Sequence, residues 1–191
     1  MKDSERAQIQ EKSGAPVEEH PVAMDGITVY VNEVNPIARL TKDQLKGIYT
    51  GTITNWKEVG GVDAPIVVYG RENSSGTYVF FKEHVLENAD FAPAVQTLPG
   101  TAAVADAVGK DVNGIGYGGY AYGGSVRHVP VAADADSPAV EPNEANVRDG
   151  SYPLARNLYW YTRANPSADV KALIEWVLSD AGQAVVKEVG Y

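Results

Sequence analysis

The chain is organised around one stretch, Val67-Val68-Tyr69-Gly70-Arg71-Glu72-Asn73-Ser74-Ser75-Gly76-Thr77-Tyr78-Val79-Phe80-Phe81. It begins with an apolar, β-branched run, continues as a polar loop after Gly70, and returns to an apolar pattern at Tyr78. This order predicts a strand, a loop and the start of a helix. The first N–H groups of a helix lack intrahelical partners, and the peptide dipoles place partial positive charge there. The stretch is therefore typical of an anion site.

The side chains of the loop suit the same chemistry. Arg71 offers a planar fork that matches phosphate or carboxylate, while Ser75 and Thr77 offer hydroxyl donors. Gly76 lets a ligand approach the backbone closely. A purely structural alternative is that Ser74 or Ser75 caps the helix and that Arg71 is a solvated charge. The loop alone leaves both interpretations open.

The composition limits the classes of protein that are possible. The 191 residues are 44% hydrophobic and 21% charged, as in an ordinary globular protein, and the net charge of -9 argues against nucleic-acid binding. No cysteine is present, so disulfides, thiolate metal sites and cysteine nucleophiles are excluded. No apolar run has the length of a membrane span, and Met1 to Gly14 carries no signal core. We expect any export signal to lie outside this chain.

Strands and helices are predicted to alternate along the chain, which indicates an α/β fold. Two strongly β-like runs bracket a self-contained α/β block, and an apolar C-terminal helix pair lacks an evident sheet to cover it. The predicted strands are Gly26–Asn32, Ile66–Tyr69, Val95–Leu98, Val126–Val131 and Arg156–Thr162. The predicted helices are Leu40–Tyr49 with a Thr41/Gln44 capping box, Tyr78 to about Asn88, one capped by Thr101, and one capped by Ser167 that Gly182 separates from a last short helix.

Other motifs are weaker. Gly114, Gly116 and Gly119 match the dinucleotide fingerprint G-x-G-x-x-G, but a strand rather than a helix is predicted to follow, so we assign these glycines to tight turns. No ordered Ser/His/Asp arrangement and no G-x-S-x-G elbow is present. No spacing of a metal site is present either, so we expect no metal and no cofactor.

Several stretches together resemble one family, the phosphate-binding proteins of ABC-type phosphate importers. The match is ordered and covers nearly the whole chain. The stretches are Asp25–Asn32, Leu40–Leu45, Ile48–Gly51, Ile53–Trp56, Arg71–Thr77, Asn113–Tyr117, Tyr152–Leu154 with Arg156, Trp176–Ser179 and Gly182–Gln183.

The resemblance implies a periplasmic-binding-protein fold of the second type, with two lobes, two hinge strands and a ligand between the lobes. Residues 31–155 would form a complete second α/β lobe. Residues 1–30 and 156–191 would belong to a first lobe whose N-terminal half-lobe precedes Met1. The chain is thus expected to be N-terminally truncated and to bind phosphate more weakly than a longer form.

Residue by residue, the resemblance implies that phosphate is bound by Arg71, Asn73, Ser74, Ser75, Gly76 and Thr77. Arg71 would form charge-assisted bonds, and Ser75, Gly76 and Thr77 would donate from hydroxyls and backbone N–H groups. Asn73 departs from the family pattern, which has Asp. An ionised Asp only accepts hydrogen bonds, so it favours hydrogenphosphate over sulfate, whereas Asn can also donate. By contrast, Arg127 is expected to be a surface charge.

The resemblance therefore implies a non-enzymatic solute-binding protein that captures inorganic phosphate and delivers it to the membrane permease of an ABC importer. It would act in the periplasm or on the extracellular face of the cell envelope. We expect a monomer that binds no nucleic acid. The alternatives are a binding or sensory domain for another oxyanion, such as sulfate or molybdate, and a serine hydrolase that uses Ser74 or Ser75.

Overall fold

The computed structural model describes Met1 and residues 3–191, and the described chain divides into two compact units. The smaller unit comprises Met1–Asp25 and Asn157–Tyr191, and the larger unit comprises Gly26–Arg156. The assignment of 1–30 with 156–191 and of 31–155 to two lobes stays a prediction. Among the described residues, no helix combines the length and the apolar character needed to cross a membrane.

Helices and strands alternate through most of the chain, so the fold is α/β as predicted. The α-helices are α1 (Asp3–Ser13), α2 (Lys42–Thr50), α3 (Gly76–His84), α4 (Thr101–Lys110), α5 (Glu144–Arg148), α6 (Ala168–Leu178) and α7 (Asp180–Glu188). The strands are β1 (Val17–Val31), β2 (Leu40–Thr41), β3 (Val67–Arg71), β4 (Gln96–Leu98), β5 (Gly114–Gly119), β6 (Arg127–Val129), β7 (Val131–Ala132) and β8 (Ala155–Arg163). Two 3₁₀ helices span Trp56–Val59 and Tyr120–Tyr122.

The larger unit is built on a mixed sheet with the strand order β4-β3-β5-β1-β6. The strands β4, β3 and β5 are parallel, and β1 runs antiparallel to β5 and β6. The centre of this sheet is buried, with Ile27, Val29, Tyr30 and Val31 of β1 fully enclosed. A separate parallel pair, β2 and β7, lies outside this sheet.

The parallel pair β3 and β4 determines where the Arg71–Thr77 loop lies. Arg71 at the carboxyl end of β3 pairs in register with Leu98 at the carboxyl end of β4. Helix α3 begins soon after β3, and α4 begins soon after β4. Because carboxyl ends of parallel strands meet at one edge of a sheet, the N-termini of α3 and α4 are both near Arg71.

The glycines of β5 lie in a buried strand, so the prediction that they form tight turns is wrong. Residues without a side chain are needed at Gly116 and Gly118 because α4 packs directly on the strand there. A Cβ atom at Gly116 would lie 2.6 Å from Cγ1 of Val104, and one at Gly118 would lie 2.2 Å from Cγ2 of Thr101. The missing methyl groups allow α4 to approach the sheet closely.

Helix starts were predicted well where the cap and its target are adjacent in sequence. The Thr41/Gln44 capping box of α2 is present, and Ser167 caps α6 through the N–H of Val170. The prediction that Thr101 caps α4 is wrong. Gly100 occupies the N-cap position, and Thr101 is the first helical residue. The prediction that Gly182 separates the last two helices is also wrong, because α6 ends at Leu178, Ser179 caps α7, and Gly182 lies inside α7.

In the smaller unit, β1 pairs with β8, and α6 and α7 pack together. Strand β1 begins at Val17, nine residues before the predicted start at Gly26, because the charged Glu18 and Glu19 and the strand breaker Pro21 hide its β-like pattern. The His20 imidazole and the Thr162 hydroxyl are hydrogen-bonded at 3.0 Å, and Gln183 donates to the carbonyl of Val22 at 3.0 Å. Part of the apolar surface of α6 remains exposed. Leu173 retains 50% of its accessible surface and Trp176 retains 49%.

Candidate functional site

Ser75 is the N-cap residue of α3. Its Oγ accepts hydrogen bonds from the N–H groups of Thr77 at 3.2 Å and Tyr78 at 3.4 Å. Ser75 is 9% exposed, whereas Ser74 is exposed and takes no part in the cap. A hydroxyl can accept two hydrogen bonds and still donate its own proton. Capping and anion binding by Ser75 are therefore compatible, and the two interpretations of the loop are not exclusive.

The backbone of the first turn of α3 is only partly available to a ligand. The Thr77 N–H, which was expected to donate to phosphate, already donates to Ser75 Oγ. The Gly76 N–H has no acceptor among the described residues. A Cβ atom added at Gly76 would meet nothing within 4 Å, so the surroundings of Gly76 are open.

Arg71 is a half-buried cation at the end of β3. Its Nη1 donates to Oγ1 of Thr101 at 2.6 Å, and its backbone N–H donates to the hydroxyl of Tyr117 at 3.4 Å. Within the described residues, Arg71 forms no ion pair with a carboxylate, and its Nε is buried without an acceptor. A buried donor without a partner is costly, and such groups are concentrated at functional sites.

Thr101 is a site residue that the sequence reasoning missed in this role. It was expected to cap α4, but its hydroxyl accepts the hydrogen bond from Arg71, and Gly100 provides no side-chain cap. The first turn of α4 thus contributes positive potential beside the guanidinium without a capping side chain. Only the pairing of β3 with β4 brings these two residues together, and no local sequence pattern reveals that pairing.

A cluster of aromatic side chains holds the tyrosine that contacts the backbone of Arg71. The ring of Tyr117 stacks on Phe81 with centroids 4.0 Å apart, and Tyr49 meets Tyr117 edge-on at 5.3 Å. Burial raises the pKa of the Tyr117 phenol well above its ordinary value. The phenol is therefore neutral, and it supports the Arg71 backbone as a hydrogen-bond acceptor without adding negative charge.

An open cavity of about 390 Å³ lies beside the loop. Arg71 and Asn73 both line it, so the structure brings these two predicted site residues together. Ser74, Ser75, Gly76 and Thr77 do not line it, although they belong to the same loop and helix start. The other lining residues are Glu72, Tyr78, Phe91, Ala92, Pro93, Val95 and Thr97.

A second arginine contacts the loop from behind. Nη1 of Arg156 donates to the carbonyl oxygen of Gly76 at 3.1 Å, and its guanidinium carbon lies 5.2 Å from the centre of the Phe80 ring. Arg156 belonged to the resembling stretches, but the sequence assigned it no role. No pattern in the sequence indicates which carbonyl a distant arginine reaches.

Arg127 is not the surface charge that was expected. It is half-buried, and its Nη2 donates to the carbonyls of Asn35 at 2.8 Å and Ile37 at 2.6 Å. The reason is that β6 places it against the turn that follows β1. Arg127 is therefore a structural residue and would be a poor control for Arg71.

Chemistry other than anion binding finds less support in the described residues. Among the described residues, neither Ser74 nor Ser75 is hydrogen-bonded to a histidine. His20 is hydrogen-bonded to Thr162, and His128 is hydrogen-bonded to Thr28. His84 is exposed and contacts the Phe80 ring. Across Met1 and residues 3–191, no group of three or more His, Cys, Asp or Glu residues could hold a metal ion.

Comparison with known proteins identifies the family. The model of the PBP superfamily domain matches residues 1–181. The phosphate-binding protein PstS of Pseudomonas aeruginosa is 36% identical over 208 residues, which cover 100% of this chain and 64% of that protein. PstS of Staphylococcus epidermidis is 34% identical over 201 residues, covering 100% of this chain and 60% of that protein. The chain thus spans less than two thirds of the length of these curated relatives.

Solved structures agree with the sequence relatives. A substrate-binding protein assigned to a phosphate ABC transporter of Clostridium perfringens, solved with bound phosphate, superposes with a TM-score of 0.80 and 35% identity. The alignment covers 99% of this chain and 74% of that one. An ABC-type phosphate transport receptor from Vibrio cholerae has a TM-score of 0.79 and 29% identity, covering 92% of this chain and 72% of that one.

These relatives are named as binding proteins and transport receptors rather than enzymes, and the shared α/β architecture is that of type II periplasmic binding proteins. The family resemblance and the expected fold class are confirmed. The chain belongs to the PBP superfamily domain family, and within that family it is PstS-like.

Proposed function

We propose that this chain binds inorganic phosphate for delivery to the membrane permease of an ABC importer. The observation that carries the proposal is Arg71, a half-buried guanidinium with no carboxylate partner among the described residues and with a buried, unpartnered Nε. It lies near the N-termini of α3 and α4, where anions are favoured. The names of the matched relatives, including one solved with bound phosphate, support phosphate as the anion.

The proposed ligands are the six loop residues Arg71, Asn73, Ser74, Ser75, Gly76 and Thr77. Arg71 supplies the charge and a fork that suits a tetrahedral oxyanion. Ser75 donates its hydroxyl proton, and Gly76 donates its backbone N–H. Ser74 and Asn73 are exposed on the same loop and are free to turn toward an anion. Fixed donors of this kind replace the hydration shell of the phosphate.

Asn73 bears on which oxyanion is bound. An amide can donate to a fully ionised anion, so a sulfate-binding or molybdate-binding protein is the second candidate. The observation that favours it is the uncharged Asn73 side chain beside Arg71 in the wall of the cavity. The same site in a sensory protein would bind the same anions.

The proposed place of action is the periplasm or the extracellular face of the cell envelope. Relatives with this architecture are named as phosphate-binding proteins and as an ABC-type phosphate transport receptor, and the net charge of -9 does not suit a nucleic-acid partner. We propose a monomer that needs no cofactor.

Titration calorimetry tests the proposal with phosphate, sulfate, molybdate and a chromogenic ester as separate ligands. We expect stoichiometric heat with phosphate and no turnover of the ester. Arg71→Ala should weaken phosphate binding by about tenfold to a hundredfold, because a charge-assisted hydrogen bond contributes roughly 1.5–3 kcal/mol. The exposed Arg39 provides a matched control, Arg39→Ala.

Each outcome distinguishes the candidates. Tighter binding of sulfate or molybdate than of phosphate would favour the second candidate. Turnover of the ester without stoichiometric anion binding would contradict both. Equal losses in Arg71→Ala and Arg39→Ala would remove Arg71 from the site.

A further inference from the structure

Arg156, the loop backbone and Ser75 form a continuous chain of hydrogen bonds. Arg156 Nη1 donates to the carbonyl oxygen of Gly76 at 3.1 Å. The same peptide unit carries the N–H of Thr77, which donates to Ser75 Oγ at 3.2 Å. Ser75 then has its own proton left to donate. The series of hydrogen bonds therefore has one donor-to-acceptor direction, which starts at the Arg156 cation and ends at the Ser75 hydroxyl proton.

The geometry of the peptide unit couples the hydrogen bond at the Gly76 carbonyl to the hydrogen bond at the Thr77 N–H. A peptide is planar, with C=O and N–H on opposite sides, so holding the Gly76 carbonyl also fixes the direction of the Thr77 N–H. A donor on the carbonyl polarises the amide and makes its N–H a stronger donor. Polarisation of this kind strengthens each following bond by roughly 10–30%.

Arg156 is itself held in place. Its guanidinium lies 5.2 Å from the centre of the Phe80 ring, one turn along α3 from Gly76, and the side chain is half-buried. Phe80 and Gly76 belong to the same helix, so Arg156 contacts α3 twice, through the carbonyl of Gly76 and through the ring of Phe80. The arginine thus has a fixed relation to the first turn of α3.

We propose that Arg156 is a positioning residue for anion binding, which orients the Gly76–Thr77 peptide and strengthens the Ser75 hydroxyl as a donor. This inference rests on the proposed function, since it concerns how the same loop holds its anion. Arg156 need not touch the anion. It acts through Thr77 and Ser75.

The alternative is that Arg156 attracts the anion only through its charge. The two mechanisms differ when Ser75 is removed. A purely electrostatic effect persists without Ser75, whereas an effect that passes through Ser75 disappears. A double-mutant cycle of Arg156→Ala and Ser75→Ala, measured as phosphate affinity, separates the two cases.

We expect Arg156→Ala to weaken phosphate binding by roughly threefold to fivefold in the wild-type background and by less than about twofold in the Ser75→Ala background. Arg39→Ala, which removes the same charge from an exposed position, should leave the affinity within about twofold. Arg156→Lys keeps the charge but not the planar fork, so it should not restore the affinity. Equal losses in both backgrounds would overturn the proposal.

A second measurement does not depend on phosphate binding. The amide nitrogen resonance of Thr77 reports on the hydrogen bond to the Gly76 carbonyl, and we expect it to move upfield in Arg156→Ala but not in Arg39→Ala. If the wild-type chain shows no heat with phosphate, the proposed function fails, and this resonance alone decides whether the hydrogen-bond chain exists. An unchanged Thr77 resonance would overturn the inference. Should Arg156→Ala not fold, Arg156→Gln removes the charge with a side chain of closer size, and the same two readouts apply.

Discussion

The guanidinium of Arg71 donates to the hydroxyl of Thr101 at 2.6 Å, although the two residues are 30 positions apart in the chain. Arg71 ends β3, and Thr101 begins α4 just beyond β4, so the parallel pairing of β3 and β4 makes the contact possible. One end of the guanidinium is thereby fixed. The remaining donors can face an anion without the arginine having to be ordered on binding.

Replacing Thr101 by Val should separate this fixing role from simple packing. Val has nearly the same shape but cannot accept the hydrogen bond from Arg71. We expect the free energy of unfolding to fall by about 1–3 kcal/mol and phosphate binding to weaken severalfold. Thr101→Ser keeps the acceptor and should bind phosphate like the wild type. Urea unfolding and calorimetry provide the two measurements, and equal phosphate affinity in the Val and Ser variants would contradict the role.

Ser75 can be tested separately as a cap and as an anion ligand. Asp is as good an N-cap as Ser, so Ser75→Asp should keep the free energy of unfolding within about 0.5 kcal/mol of the wild type. Its negative charge should repel phosphate and weaken binding by at least about tenfold. Ser75→Ala should lose both the cap, at a cost of roughly 0.5–2 kcal/mol, and the hydroxyl donor. If Ser75→Asp bound phosphate normally, Ser75 would be only a cap.

The close contact between β5 and α4 predicts a large effect of a single methyl group. In Gly118→Ala the new Cβ would lie 2.2 Å from Cγ2 of Thr101, so helix or strand must shift. We expect a loss of about 1–3 kcal/mol in the free energy of unfolding. Gly124 has open space around a Cβ position, so Gly124→Ala should change stability by no more than about 0.5 kcal/mol. Urea denaturation of both variants makes the comparison, and equal values would contradict the packing.

His128 should make the larger unit sensitive to mild acid. Burial lowers the pKa of His128 below its ordinary value, with Thr28 hydrogen-bonded to Nδ1 at 2.8 Å and the rings of Tyr30 and Tyr120 beside it. As the pH falls below about 6.5, the unfolded chain takes up a proton that the folded chain resists. The free energy of unfolding should therefore decrease, by at most about 1.4 kcal/mol per pH unit, until the folded pKa is passed.

The control for this pH effect is a pair of asparagine variants. His128→Asn keeps a group that can bond to Thr28 but cannot titrate, so the slope of stability between pH 7 and 5 should flatten. The exposed His84 offers the comparison, and His84→Asn removes a histidine that lies outside the buried cluster. Thermal unfolding at several pH values provides the measurement. A slope that is the same in His128→Asn and the wild type would show that another group titrates.

Features set by neighbouring residues were predictable from the sequence. The Thr41/Gln44 capping box and the Ser167 cap each join groups three residues apart, so the pattern contains both partners. The order of strand, loop and helix start from β3 to α3 was likewise predictable, whereas anion binding by this loop stays a prediction. The fold class followed from the alternation of elements.

Features set by distant contacts were not predictable. Gly116 was predicted to be a turn glycine, because nothing in the local sequence shows that α4 packs on it. Thr101 resembles a cap until β4 pairs with β3 and brings Arg71 to its hydroxyl. Arg127 was predicted to be a solvated charge, but it donates to the carbonyls of Asn35 and Ile37. The reason is that β6 lies against a turn about 90 residues earlier in the chain.

The Ser75 cap has a kinetic consequence. Ser75 Oγ accepts from the Thr77 and Tyr78 amides, so a side chain of this protein, and not the anion, holds the first turn of α3 in its helical form. Binding of an anion then requires no folding of the first turn of α3. Encounter would then be governed by diffusion and by the local positive potential, so differences in affinity among variants of this loop should lie mainly in how fast the anion leaves.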